Sequence, residues 1–242
     1  KAIFIKTEME DYKVCILAAG IGSRMGLFTK TFNKALIPVQ GKPAICHIIE
    51  KFGKNLETVV AVGHKKETVI DYLSAAYPDR GLNFVEVDKY TGLGTGPGYS
   101  LLQCSEHLQS PFIFLSVDTL VREEIPKPSE NWMGLAKVSN TERFCSAKIL
   151  DSKVIRIDDK VKTDNEFGFI GLAGIKDYEF FWDELESNQN IIGGEIQVSN
   201  GLSSLIERGL NAKTFTWFDV GTPDSYEHAV RNYPDGKSYG GE

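Results

Sequence analysis

Apolar runs of strand length alternate with segments of helical periodicity along the first half of the chain. The predicted strands span 13–18, 58–62, 82–87 and 111–116, and the predicted helices span 43–52, 67–76 and 98–108. Strands and helices that alternate in this way are typical of a parallel sheet covered by helices on both faces. We therefore expect an α/β fold with three α/β/α layers and a mostly parallel central sheet.

After residue 131 the pattern changes to shorter apolar runs that are separated by polar turns. These runs predict strands over 132–138, 146–150, 154–157 and 167–175, which we interpret as a small β-rich insertion. Helical patterns return over 177–185, 195–208 and 223–232, and a last strand is predicted over 214–218. We interpret residues 1–242 as one domain with a core of about 12–232, an N-terminal extension over 1–11 and a tail over 233–242.

The composition narrows the classes of ligand and location. With 242 residues and a net charge of −6, the chain lacks the basic field that nucleic-acid binding requires, so we expect a small ligand. The four cysteines have neither metal-site nor disulfide spacing and are predicted to be reduced. No run reaches the roughly 18 apolar residues of a membrane span, and no secretion signal is visible. These observations predict a cytoplasmic protein; because it opens at Lys1, the chain is either trimmed or part of a longer polypeptide.

A glycine loop with two cations follows the first predicted strand. Gly20 and Gly22 can adopt positive φ, which lets neighbouring N–H groups converge on phosphate oxygens. Arg24 adds a planar fork that binds phosphate, and Lys34 adds a mobile charge. We predict that the loop binds a nucleoside triphosphate. Its contacts are predicted to come from Leu17, Ala18, Ala19, Gly20, Gly22 and Ser23.

Two better-known glycine loops are excluded by the spacing. The dinucleotide fingerprint needs a third glycine where this chain has Met25, and the Walker loop needs Gly-Lys-Ser/Thr from that same position. For the loop taken alone, one other interpretation stays open, in which the glycines only turn the chain.

Two aspartates follow predicted strands, at the edge where α/β sheets bind their ligands. Asp118 comes after the run 111–116, and Asp219 comes after the run 214–218. Mg²⁺ on a triphosphate is typically held by one or two carboxylates together with phosphate oxygens and water. Each aspartate alone is equally suited to cap a turn or a helix. Beside a phosphate loop, the pair predicts a Mg²⁺ site.

Three further features are candidates for substrate contacts. The glycine cluster around Gly94 and Thr95 lets the backbone approach a base or a ribose, or it forms an ordinary turn into a helix. Lys160 lies in a charge run that is either catalytic or a solvated hairpin. Glu195 precedes a predicted helix, where it is either an acceptor ligand or an acid that favours the helix dipole.

In their order, these segments resemble the signature of the sugar-phosphate nucleotidyltransferase family. The resemblance runs from about residue 12 to residue 232 and includes Leu17–Gly26 and the stretch from Lys34 to Pro43. It implies a Rossmann-like domain that transfers a nucleoside monophosphate from an NTP to a phosphorylated acceptor, releases pyrophosphate and uses Mg²⁺ as its cofactor. By position, it implies triphosphate contacts from Arg24 and Lys34, an acceptor-phosphate contact from Lys160, an acceptor-loop contact from Glu195, and metal ligands in Asp118 and Asp219.

Two departures from the family pattern concern the phosphate loop and the base. Asn33 stands where many members have proline, a change that affects loop stiffness more than chemistry. Lys89 stands five residues before Gly94, where uridylyl- and thymidylyltransferases carry a glutamine that reads the base. Lysine only donates hydrogen bonds, and cytosine presents adjacent N3 and O2 acceptors, so Lys89 favours CTP.

The aromatic residues after Phe167 resemble those of members that act on phosphocholine-like or other small acceptors of surface polysaccharides and lipids. These aromatic side chains either contact a trimethylammonium group through cation–π attraction or pack a helix on the sheet. They are Tyr178, Phe180, Phe181 and Trp182. The predicted partners are CTP and a small phosphorylated acceptor, either phosphocholine-like or a sugar phosphate. Two other functions stay open: a sugar-1-phosphate uridylyl-, guanylyl- or thymidylyltransferase, and a nucleotide-binding regulatory module without transfer activity. The sequence leaves the oligomeric state open.

Overall fold

A computed structural model describes residues 12–234, in which a nine-stranded sheet lies between two layers of helices. The strands are β1 Lys13–Ala18, β2 Pro38–Val39, β3 Lys42–Pro43, β4 Thr58–Val62, β5 Leu82–Glu86, β6 Phe112–Ser116, β7 Thr119–Val121, β8 Trp132–Lys137, β9 Cys145–Leu150, β10 Lys153–Asp159, β11 Phe167–Ile175, β12 Ile191–Ile192, β13 Glu195–Ile196, β14 Asn211–Thr214 and β15 Trp217–Asp219. The α-helices are α1 Phe28–Thr31, α2 Ala44–Ile49, α3 Lys66–Ala76, α4 Pro97–Leu102, α5 Tyr178–Ser187, α6 Ser199–Leu202 and α7 Pro223–Asn232. The predicted N-terminal extension and most of the predicted tail lie outside the described residues.

The alternation of side chains along β1 shows why its sequence is apolar throughout. Val14 and Ile16 pack on one face, in a cluster that includes residues of α2, α3 and α7. Cys15 and Leu17 pack on the other face, in a cluster that includes residues of α4, α5 and α6. A strand buried on both faces needs a continuous apolar run. The three-layer α/β/α arrangement is therefore confirmed.

The sheet is mixed, with a parallel half and a largely antiparallel half. β5, β4, β1 and β6 lie side by side and run parallel, as predicted. Beyond β6 the order is β11, β8, β14, β10 and β9, and β11 pairs antiparallel with both β6 and β8. The expectation of a mostly parallel sheet with a separate β-rich insertion is therefore corrected. The two halves form one sheet because β11 lies between β6 and β8. The last four residues of β11 are all buried.

Two predicted elements are divided in the structure. The helix predicted over 195–208 starts only at Ser199, because Glu195–Ile196 forms β13 and pairs with β12. The strand predicted over 214–218 is split, because the chain leaves β14 after Thr214 and enters β15 at Trp217. Between them, the N–H of Thr216 donates to the Glu123 carboxylate at 2.9 Å, and β15 pairs with β7 outside the main sheet. Tertiary contacts therefore set both breaks.

Two other sequence-based expectations concern thiols and membranes. Cys15, Cys46 and Cys104 are buried and Cys145 is half-buried, and all four are free thiols, as predicted. Between residues 12 and 234, none of the helices has the length and apolar character needed to cross a bilayer.

Gly174 of β11 lies against the fully buried indole of Trp132 on β8. A Cβ at position 174 would overlap the Nε1 and Cε2 atoms of that indole, which has no room to move because it is completely buried. We expect Gly174→Ala to lower the free energy of unfolding by about 1–3 kcal/mol or more, as overpacking does. Gly81→Ala, where a Cβ meets no atom within 4 Å, is the matched control. Denaturant unfolding of both variants checks this, and equal midpoints would contradict the packing described here.

Candidate active site

A cavity of about 600 Å³ opens at the carboxyl ends of β1 and β6. This edge is where open α/β sheets bind their ligands. The cavity is lined by the glycine loop that follows β1 and by residues of β10, β13 and the turn before β9. The predicted site residues that line it are Leu17, Ala19, Gly20, Gly22, Ser23, Arg24, Lys34, Thr95, Asp118, Lys160, Glu195 and Asp219.

The glycine loop is folded back on α1 by Thr29. Gly22 has a φ of 63°, and a Cβ there would lie 2.8 Å from the Thr29 Cγ2 atom. The Thr29 hydroxyl donates to the carbonyl of Gly22 at 3.1 Å. Arg24 follows in a short 3₁₀ turn and is exposed, so its guanidinium is free to meet a ligand at the cavity.

Lys34 is placed by the buried side chain of Asn33. The Asn33 amide donates to the carbonyls of Ala18 at 3.1 Å and His64 at 2.6 Å, and its Oδ1 accepts from the N–H of Ala35 at 2.8 Å. These bonds tie the 3₁₀ turn of Lys34 to the ends of β1 and β4. The Lys34 Nζ lies 2.6 Å from the Asp118 Oδ2. Asn33 thus fixes the lysine that faces the Asp118 carboxylate, a role beyond the loop stiffness expected from sequence.

The carboxylates of Asp118 and Asp219 border one point in space. The N–H of Val220 donates to the Asp118 carbonyl at 3.0 Å, which brings the end of β15 beside the end of β6. A Cβ at Gly221 would lie 2.8 Å from Asp219 Oδ1, 3.0 Å from Asp118 Oδ2 and 3.3 Å from Arg24 Nη2. The two acids and the arginine therefore converge where Gly221 carries no side chain.

Two acids and two cations, Arg24 and Lys34, meet at this point. Burial disfavours the charged form of Asp118, but the Lys34 ammonium and the nearby Arg24 outweigh it and lower its pKa. Burial, followed by the negative charge of Asp118, raises the pKa of Asp219. Carboxylate oxygens are hard ligands of the kind that Mg²⁺ prefers. Within residues 12–234, no group of three or more His, Cys, Asp or Glu residues is placed to hold a metal, so substrate oxygens and water would complete the shell.

Two loops join to form the opposite wall. The N–H of Gly94 donates to the carbonyl of Gly194 at 3.0 Å, and the N–H of Ile196 donates to the carbonyl of Thr95 at 2.7 Å. A Cβ at Gly96 would lie 2.7 Å from the Cβ of Glu195, so glycine is needed for this close approach. The loop predicted for the base and the loop predicted for the acceptor are therefore one continuous wall.

Polar side chains gather at the end of the cavity formed by β10 and β13. The Lys160 Nζ lies 3.6 Å from the Glu195 Oε2. The neighbouring Asp159 accepts from the Ser199 hydroxyl at 2.5 Å through Oδ2, while its Oδ1 is buried without a partner. Burial raises the pKa of Asp159. These residues provide a cation and several hydrogen-bond acceptors for a second ligand.

Comparison with known proteins shows which proteins the chain resembles. Residues 14–126 match the MobA-like NTP transferase domain family. The chain is 32% identical over 221 residues to the bifunctional protein GlmU of Methanococcus vannielii, an alignment that covers 86% of this chain and 51% of that protein. The family model covers slightly less than half of this chain, and the chain spans about half of the GlmU relative, so the chain resembles NTP transferases. The chain is also 24% identical to the low-salt glycan biosynthesis nucleotidyltransferase Agl11 of Haloferax volcanii, over 93% of the chain and 67% of the relative.

Several solved structures share the fold of this chain. The UTP-bound UGPase from Acinetobacter baumannii matches with a TM-score of 0.76 at 15% identity, over 93% of each chain. The CTP:phosphocholine cytidylyltransferase LicC from Streptococcus pneumoniae matches with a TM-score of 0.72 at 21% identity, over 90% of this chain and 97% of LicC. At these identities the matches show the fold alone, and they confirm the Rossmann-like expectation. The chain spans about half the length of the GlmU relatives.

Three predicted nucleotide-binding residues do not line the cavity. The Ala18 carbonyl accepts from Asn33, and its side chain packs in the core. The Gly94 N–H is taken by the Gly194 carbonyl. Lys89 is exposed, and its neighbour Tyr90 lines the cavity instead. Lys89, the residue that favoured CTP, is therefore not part of the cavity wall.

The aromatic residues of α5 pack in the core of the molecule. Phe181 and Trp182 are buried, and Trp182 stacks on Phe112 with ring centroids 5.0 Å apart. The Phe180 ring is covered by the Arg208 guanidinium at 4.3 Å. None of these rings lines the cavity. Of the two interpretations of this cluster, helix packing is therefore the one that the structure supports.

Proposed function

We propose that the chain transfers a nucleotidyl group from an NTP to a sugar 1-phosphate and releases pyrophosphate. The observation that carries this proposal is the convergence of Asp118, Asp219 and Arg24 around Gly221, with Lys34 bonded to Asp118. Such a set of cations and carboxylates suits a metal-bound triphosphate. The polar residues of β10 and β13 that line the same cavity supply a place for the acceptor.

The reaction is an in-line attack by an oxygen of the acceptor phosphate on the α-phosphorus of the NTP. The new phosphorus–oxygen bond forms as the bond to the β-phosphate oxygen breaks, and pyrophosphate leaves. Arg24 and Lys34 bind the triphosphate and stabilise the charge that develops on pyrophosphate, while Lys160 orients the acceptor phosphate. Asp118 and Asp219 would hold Mg²⁺, which neutralises phosphate charge when bound. The acceptor phosphate is already ionised, so positioning and electrostatics suffice without a general base.

Hydroxyl recognition favours a sugar over a trimethylammonium compound as the acceptor. Asp159 has one unpartnered buried oxygen, and Glu195 accepts from the Gln197 amide at 2.8 Å and keeps further acceptor capacity. A carboxylate with spare lone pairs binds sugar hydroxyls. The aromatic cluster that favoured choline lies in the core instead.

A uracil or thymine nucleotide is the preferred donor in this proposal. Lys89 does not line the cavity, so the hydrogen-bond argument for cytosine loses its donor. A relative from Haloferax volcanii, 28% identical over 108 residues, carries the name UTP–glucose-1-phosphate uridylyltransferase. Among neighbours of the same fold, the Acinetobacter baumannii UGPase is described with bound UTP.

A substrate panel tests the proposal. The purified chain is incubated with Mg²⁺, each of ATP, GTP, CTP, UTP and dTTP, and either glucose 1-phosphate, other sugar 1-phosphates or phosphocholine. We expect pyrophosphate release that requires both an NTP and a sugar 1-phosphate, with UTP or dTTP preferred. Faster release with CTP and phosphocholine would overturn the choice of substrates, and NTP binding without release on any acceptor would favour a regulatory module.

Lys89→Gln tests the base preference separately. Because Lys89 does not line the cavity, we expect the ratio of kcat/KM for UTP to that for CTP to change by less than about twofold, the effect of a surface substitution that makes no substrate contact. Steady-state kinetics with both nucleotides measures this ratio. A tenfold rise in the ratio would show that Lys89 does contact the base and would restore the argument for CTP.

A further inference from the structure

Arg143 lines the cavity and has no role in the reaction described so far. Four cations line it: Arg24, Lys34, Arg143 and Lys160. Lys34 is paired with Asp118, and Lys160 lies 3.6 Å from Glu195. Over the described range 12–234, no ion pair is formed by Arg143, which is exposed. An unpaired cation at the wall of an anion-binding cavity is available to a ligand.

The backbone that carries Arg143 is held firmly beside Lys160. Arg143 ends a 3₁₀ turn that starts at Thr141, where the Asn140 side chain accepts from the N–H of Glu142 at 3.0 Å. The Thr141 hydroxyl accepts from the N–H of Thr163 at 2.9 Å. The next residue, Phe144, accepts from the N–H of Lys160 at 2.9 Å. The two cations are therefore attached to directly bonded stretches of backbone.

The charge of the reacting groups explains why a second cation is useful here. The acceptor phosphate must approach a bound triphosphate, and both are anions. Lys160 supplies one positive charge, part of which is offset by Glu195. An arginine fork binds phosphate bidentately, with stronger and more directional bonds than a neutral donor makes. Arg143, in contrast, forms no ion pair with any acid among residues 12–234.

We infer that Arg143 binds the phosphate of the acceptor together with Lys160. This inference rests on the proposed function, since it assigns a residue to the acceptor side of that site. It makes Arg143 a substrate-binding residue for the acceptor, while Arg24 and Lys34 are assigned to the triphosphate of the NTP. The inference therefore predicts an effect on the KM for the acceptor.

Arg143→Gln tests the inference through separate kinetic constants for the two substrates. We expect the KM for the sugar 1-phosphate to rise about tenfold or more, the effect of losing a charge-assisted hydrogen bond, while the KM for the NTP changes little. Arg143→Lys is expected to restore part of the loss because it keeps the charge but not the fork. Arg231→Gln, at an exposed arginine of α7 paired with Glu227, is the matched control and should behave as wild type. Thermal unfolding of each variant checks that the fold is kept.

Calorimetric binding of glucose 1-phosphate separates this inference from the proposed function. If the wild type binds glucose 1-phosphate but shows no transfer, the proposed function fails, and weaker binding by Arg143→Gln would still support the inference. If Arg143→Gln raises the KM for the NTP instead, or leaves acceptor binding unchanged, the inference is wrong while the function stands. If the wild type neither binds nor transfers, both are wrong.

Discussion

Replacing Asp118 by asparagine is expected to lower kcat for pyrophosphate release by about 10³-fold, the scale of removing a preorganised charge from a transition state. Asparagine keeps the shape of the side chain but removes the negative charge that attracts a metal ion. It also removes the ion-pair partner of Lys34, whose Nζ lies 2.6 Å from the carboxylate. The fold should persist, because the contact of this segment with β15 uses the backbone carbonyl of Asp118 and not its side chain.

Asp164→Asn provides the control for this experiment. Asp164 is an exposed acid paired with Lys148 at 3.1 Å, away from the cavity lining, so its loss should leave turnover near wild type. Coupled pyrophosphate assays and circular dichroism of both variants give the comparison. Wild-type turnover in the Asp118 variant would remove this carboxylate from the reaction.

Gly221→Ala is expected to lower kcat/KM by about 10²-fold, because the added methyl group would displace the charged groups around it. Small displacements of catalytic groups have effects of this size. The added methyl group would lie 2.8 Å from the Asp219 carboxylate, 3.0 Å from that of Asp118 and 3.3 Å from the Arg24 guanidinium. Gly221 is not among the glycines with positive φ, so alanine adopts its backbone conformation without strain. The effect therefore reports the space between the three charged groups.

Gly81→Ala is the matched control for Gly221→Ala, since a Cβ there meets no atom within 4 Å. Steady-state kinetics of the two variants at saturating Mg²⁺ measures the difference, and thermal unfolding excludes a general loss of structure. If the Gly221 variant turned over as fast as the Gly81 variant, the three groups would not be the reacting centre.

The local pattern of apolar and capping residues was enough to predict strands that are buried on both faces and a helix with a clear N-terminal cap. The bounds of β1, β4 and α7 agree with the sequence interpretation, because both strands are buried on two faces and the helix begins with a Thr222 cap followed by proline. The second half of the sheet was beyond reach, because its strand order depends on pairing between distant segments. An apolar run such as 167–175 does not show which strands it will pair with.

The charged residues of the site were predictable because they follow strands or a glycine loop. The residues that position them were not, since they act through contacts that are remote in sequence. Asn33 works by bonding the backbone of Ala18 and His64, and Gly221 works by leaving room between Asp118 and Asp219. Asp159 adjoins a predicted residue, but in the sequence it is only one member of a charge run. Lys89 shows a further limit of sequence spacing, which cannot tell which of two neighbouring side chains borders a cavity; here Tyr90 lines it.

The proposed reaction depends most on a single Mg²⁺ ion that Asp118 and Asp219 hold against the bound triphosphate. The direct test is calorimetric binding of UTP with and without Mg²⁺, for the wild type, for Asp118→Asn, for Asp219→Asn and for the double variant. If the two acids share an ion, Mg²⁺ tightens UTP binding to the wild type, each single substitution abolishes this gain, and the double variant loses no more than either single one. A gain from Mg²⁺ that persists in either single variant would contradict the account.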